Sequence, residues 1–78
     1  MTEAATIAQD KLEELRVSTW GVISDGNDIL VPSSTGINYS RNWVVVSNTD
    51  DTLKTVRITV SWNDGINRSI RLLSAISN

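Results

Sequence analysis

Hydrophobic and polar residues alternate with a period of two through the second half of the chain. Between Leu53 and Trp62, the residues Val56, Ile58, Val60 and Trp62 share one parity, and Thr55, Arg57, Thr59 and Ser61 share the other. Alternation of β-branched and aromatic residues with polar ones predicts a strand with one buried and one solvated face. Asp64-Gly65 is a turn signal, because glycine tolerates the positive φ of tight hairpin turns. The pattern resumes from Arg68 to Ala75, so the two segments predict a β-hairpin. With Ile70 and Leu72 on the buried face, they pair with Val60 and Ile58 and centre the hairpin on Gly65. The loop must then be odd, either Asp64 to Ile66 or two residues longer. A one-residue slip would reverse every side chain and set Ser69 against Val60. On the wet face this register places Arg71 opposite Thr59 and Leu73 opposite Arg57.

Tyr39 to Asn48 reads as the preceding strand. Tyr39, Arg41, Trp43, Val45 and Ser47 alternate with Ser40, Asn42, Val44, Val46 and Asn48. Both parities become apolar from Trp43 to Val46, which predicts a centre covered on both faces. Thr49 to Thr52 turns the chain into the hairpin. The expectation is an antiparallel meander of three main strands, 41–48, 54–62 and 68–76.

The start of the chain has a different period. From Thr2, a suitable N-cap, to Val17, the spacing predicts an amphipathic helix with Ala4, Ala5, Ala8, Leu12 and Leu15 on one stripe. Ala8, Leu12 and Leu15 are expected to pack on the sheet. The first half of the stripe holds only alanines, so its turns are expected to protrude or fray. Ile7 is placed about 100° from the stripe, either as a lone exposed apolar residue or as a contact with another subunit's helix. Residues 20–40 are the least regular. Val22-Ile23 and Ile29-Leu30-Val31 each have the composition of a short strand, Ser24 to Asp28 reads as a turn cluster, and Pro32 to Gly36 as a loop. The expected fold is α+β, one domain over 1–78: a helix at 1–18, a variable connection at 19–40 and a β-meander at 41–76. A greasy helix stripe and a greasy sheet face bury each other, and room is left for a fourth short strand.

Composition narrows the function classes. The 78 residues carry no cysteine and no histidine, which removes disulfides, thiolate metal sites and the commonest general base. A net charge of −2 with dispersed basic residues gives no phosphate-backbone footprint, so nucleic acid is not an expected partner. No apolar run reaches the roughly 20 residues of a membrane span, and Met1-Thr2-Glu3 does not open a signal peptide.

Chemistry is equally sparse. Glu13 and Glu14 diverge by about 100° on a helix, and Asp50-Asp51 is ordinary turn usage. Asp25, Asn27 and Asp28 lack the alternate spacing, glycine and final glutamate of a calcium loop. No phosphate-cradling glycine loop or nucleophile elbow is present. No enzyme, cofactor or metal site is expected. The three tryptophans read as core, each able to bury about 200 Å². A sugar-binding face built on the three tryptophans, Trp20, Trp43 and Trp62, and the tyrosine, Tyr39, is the alternative, and Arg57 and Arg71 read as solvating charges.

Two segments together carry a family resemblance. Ala4-Ala-Thr-Ile-Ala-Gln-Asp-Lys-Leu-Glu-Glu-Leu-Arg16 resembles the exposed half of the N-terminal helix in type IV pilin-like proteins, especially minor pilins of the V type. Val56 to Trp62, Asp64-Gly65, then Arg68-Ser-Ile-Arg-Leu-Leu73 resemble the closing hairpin of those proteins and of the minor pseudopilin I of type II secretion. The match leaves 20–40 unassigned. The family's leader, its cleavage site before an aromatic residue and its long apolar helix are not in this sequence, so the resemblance implies a soluble portion starting partway down that helix. It implies a non-catalytic structural subunit that primes or caps a fibre. Such a subunit sits in the inner membrane with a periplasmic head, or on a surface pilus. It would contact sibling minor pilins through the N-terminal helix, with Ile7 as a candidate contact, and meet the membrane only through the segment not seen here. The isolated domain is expected to be monomeric. A small extracellular carbohydrate- or protein-binding β-module is the alternative.

Overall fold

The computed structural model describes residues 3–31 and 36–77. In chain order it contains α1 (Glu3–Val17), a short 3-10 turn (Trp20–Val22), β1 (Gly26–Leu30), β2 (Tyr39–Ser47), β3 (Leu53–Asn63) and β4 (Asn67–Ser77). The strands form one antiparallel sheet in the order β1-β2-β3-β4. The proposed cap Thr2 and the loop residues 32–35 lie outside the described residues.

The hairpin register is the one that alternation predicts. Val60 pairs with Ile70, Ile58 with Leu72, Thr59 with Arg71 and Arg57 with Leu73. The loop is the three-residue Asp64-Gly65-Ile66 between the paired Asn63 and Asn67. Gly65 has φ +105°, where a side chain would be strained. Asn63 stabilises the turn by accepting from the Gly65 N–H at 2.9 Å and donating to Asn67 at 2.6 Å. At the β2–β3 turn, the Asn48 side chain accepts from the backbone N–H groups of Thr52 and Leu53.

One face of the sheet packs on α1. Val56, Ile58 and Val60 are fully buried and join Ala4, Ile7, Ala8, Leu12, Leu15, Ile23, Tyr39 and Ile76 in one core. Trp20, Trp43 and Trp62 lie half-buried against it. The other face is open. Val44 is half-buried and Val46 is 61% exposed, so the centre of β2 is covered on one side only. The doubly apolar run there is short, and α1, the one helix among the described residues long enough to cover a sheet face, occupies the other side.

Three further expectations change. The N-terminal turns of α1 do not protrude: Ala4 is 3% and Ala8 1% exposed. Small side chains let the helix approach the sheet closely, so alanine suffices there. Ile7 is 8% exposed and belongs to the core. The buried positions 4, 7, 8, 11, 12 and 15 follow the i, i+3, i+4 rule, so the stripe is centred between Ile7 and Leu12. Half-buried Ala5 is at its margin. Finally, the segment read as a turn at 24–28 begins β1 at Gly26, while Val22 closes the 3-10 turn rather than a strand. Gly26 is placed in the sheet by tertiary need, because a Cβ there would sit 2.5 Å from the Trp43 ring.

Candidate functional site

Polar and aromatic chemistry concentrates between α1 and the β1–β2 side of the sheet. Helix and strand share a period there. Four helical residues rise about 6 Å and two strand residues about 6.7 Å, so successive turns of α1 meet alternate residues of β2. Tyr39 donates its hydroxyl hydrogen bond to Glu3 at 3.2 Å. Arg41 donates to the Ile7 carbonyl at 3.2 Å. Lys11 places its ammonium 4.1 Å from the centroid of the Trp43 ring. The helix therefore runs parallel to β2 and is latched along it.

Three buried cations make up most of this layer: Lys11, Arg41 and Lys54, each under 9% exposed. Arg41 grips Asp28 of β1 through Nε at 2.9 Å and through Nη2. This bidentate bond holds the Asp28 carboxyl below the usual range, the guanidinium outweighing the opposing effect of burial. Lys54 donates to the carbonyls of Trp20 at 3.0 Å and Ile23 at 3.3 Å, which fixes the 3-10 turn to the sheet. Its ammonium also lies 4.8 Å from the Trp20 ring centroid. Lys11 pairs with Glu14 at 2.9 Å. Each cation is spent on joining two elements. Tyr39 is pushed up from its ordinary pKa by burial first and the Glu3 contact second.

Sequence reasoning missed these three residues because long cations read as surface. The signal was present in parity: Arg41 alternates with Tyr39, Trp43 and Val45, and Lys54 with Val56 and Ile58. Lys11 likewise follows Ala4 and Ile7 at helical spacing. Ala8, Leu12 and Leu15 are all buried on the α1 stripe. No group of three or more acidic residues that could hold a metal ion occurs among the described residues.

The open face has a different character. Its side chains come from Asn27 and Ile29 of β1, Ser40, Asn42, Val44 and Val46 of β2, and the odd-numbered residues of β3 and β4. Arg57 and Arg71 are its charges, and none of these strand positions is a carboxylate. Trp43 and Trp62 project to the opposite face and Trp20 lies in the 3-10 turn, so no aromatic platform lies on this face among the described residues.

The chain matches no family model, no curated protein and no solved structure. No helix is long and apolar enough to cross a membrane among the described residues.

Proposed function

We propose that this chain is a non-catalytic structural head domain of the minor-pilin or pseudopilin type, acting by protein–protein assembly in a pilus or a type II secretion pseudopilus. One observation carries the reading: an N-terminal helix lies along one face of an antiparallel meander, and no described segment covers the opposite face or one long sheet edge. That is the order of elements the resemblance implies. The buried polar groups support a structural role, since Arg41, Lys54 and Lys11 each connect elements of the fold. Burial of Ile7 removes it as a helix contact in this conformation. The helix surface left for siblings is its outer side, with Thr6, Gln9, Asp10 and Glu13 exposed. The native head is periplasmic or fibre-borne in this reading.

Intact-mass and N-terminal analysis of the protein from its source cells tests the assignment. The expected product is several kilodaltons larger, begins at a methylated aromatic residue and continues into an apolar helix. A native chain that begins at Met1 or Thr2 would overturn it.

A further inference from the structure

The two edges of the sheet differ in kind. β1 has five residues, and beyond its start the Asp25 carboxylate takes the Val45 N–H at 2.7 Å. That edge is short and partly capped. β4 has eleven residues, pairs with β3 without a bulge along its whole length, and contains no proline. No described segment lies beyond it. A long, regular edge with free N–H and C=O groups is a template for another strand.

The surroundings of this edge specify what fits. On the helix side, a groove of about 380 Å³ lies between α1 and β4, with Leu12 and Leu72 at its apolar part and Asp10 and Glu13 among its polar lining. On the open side, Arg71 of β4 is the diagonal neighbour of Arg57 on β3, because Arg57 pairs with Leu73 and Thr59 with Arg71. Neither arginine has an ion-pair partner among the described residues. Leu73, on the same side, is 64% exposed.

We infer that the free edge of β4 docks an extended strand of a partner protein that carries carboxylates toward Arg71 and Arg57 and apolar side chains into the α1–β4 groove. A second copy of β4 does not meet this requirement. On the open side it carries Arg71 and no carboxylate, so self-pairing adds positive charge to an uncompensated pair. The same arginines recruit an acidic strand and discourage the edge from pairing with itself. This inference rests on β4 and its neighbours and stands or falls separately from the pilus assignment.

The test uses blocked synthetic strands of alternating Glu and Val, with a Lys and Val counterpart, added to the full chain. Hydrogen exchange of the β4 amides is followed by NMR. Alternate amides of β4 point away from β3, and they should become protected when the Glu strand binds. The Glu strand should bind about tenfold tighter than the Lys strand, as expected when cross-strand charge pairs change sign. Arg71→Glu, at an exposed position, should reverse that order. Binding without protection of β4, equal affinity for the two strands, or an order unchanged by Arg71→Glu would each overturn the inference. So would a stable β4–β4 dimer of the unmodified chain.

Discussion

Arg41 shows how a charge becomes part of a core. Its guanidinium spans β1 and α1, holding the Asp28 carboxylate and the Ile7 carbonyl at once. Removing one partner of a buried pair costs more than removing both, because a desolvated charge is left alone. Asp28→Ala should therefore lower stability by about 2 kcal/mol in urea unfolding, less than the roughly 3–5 kcal/mol of a fully buried pair because Asp28 is itself partly solvated. Adding Arg41→Met should recover much of that loss. A loss in the double variant equal to the sum of the Asp28→Ala and Arg41→Met losses would show that the pair is not coupled. The pH dependence has a definite sign. The Asp28 carboxyl is held down in the fold by Arg41, so its stabilisation is complete above the ordinary aspartate pKa of about 4 and is lost as pH falls through the lower folded value. Tyr39 acts at the other end: raised by burial, it stabilises below about pH 10 and loses that contribution as pH rises through its folded value. Gly26 is a residue-scale requirement of another sort. Gly26→Ala should displace the Trp43 ring and cost about 1–3 kcal/mol by overpacking, with a change in tryptophan emission. Unchanged emission and melting temperature would place the ring elsewhere.

At the scale of elements, the helix depends on the sheet. A helix of this length is marginal alone in water, and α1 gains its stability from a stripe that runs to its first turn. Ile7 and Val17 make a clean comparison, since Ile7 is 8% and Val17 84% exposed. Ile7→Ala should cost about 2–4 kcal/mol, while Val17→Ala should stay within about 0.5 kcal/mol of the parent. Denaturant melts of the two variants check this, and equal effects would mean that the N-terminal turns are not docked. The hairpin was legible in detail from the sequence because parity is binary: only an odd loop keeps Val56 to Trp62 and Ile70 to Leu72 on one face. β1 was not legible. Its sequence, Gly-Asn-Asp-Ile-Leu, contains three residues that favour turns, and it is held as a strand by the Arg41–Asp28 pair and by the ring above Gly26.

Over the whole molecule, charge is segregated. Four carboxylates lie on α1, Asp50, Asp51 and Asp64 lie in turns, and the open sheet face carries arginines alone. The molecule is elongated, 44 by 20 by 19 Å, with the strands along its length. In the proposed assembly role, the open face and the β4 edge are where partners of opposite charge would be received. The isolated chain should sediment as a monomer at micromolar concentration, because Arg57 and Arg71 oppose face-to-face and edge-to-edge pairing of identical copies. A tight dimer in analytical ultracentrifugation would contradict this distribution of charge as a safeguard.

The sequence by itself determined the local facts: the period of each element, the register of β3 with β4, the odd turn at Gly65, and the pairing of a helix stripe with a sheet face. These follow from periodicity and from the conformations single residues allow, so they require no knowledge of distant neighbours. Only the tertiary structure decided that Ile7 is core, that Lys11, Arg41 and Lys54 are buried, and that 26–28 join the strand begun by Ile29-Leu30 in the sequence reading. Each of those outcomes depends on a partner far along the chain, such as Trp43 for Gly26 or Trp20 for Lys54, whose approach no local pattern encodes. The uncovered β4 edge belongs to the same class, since an edge exists only once the order of all four strands is settled.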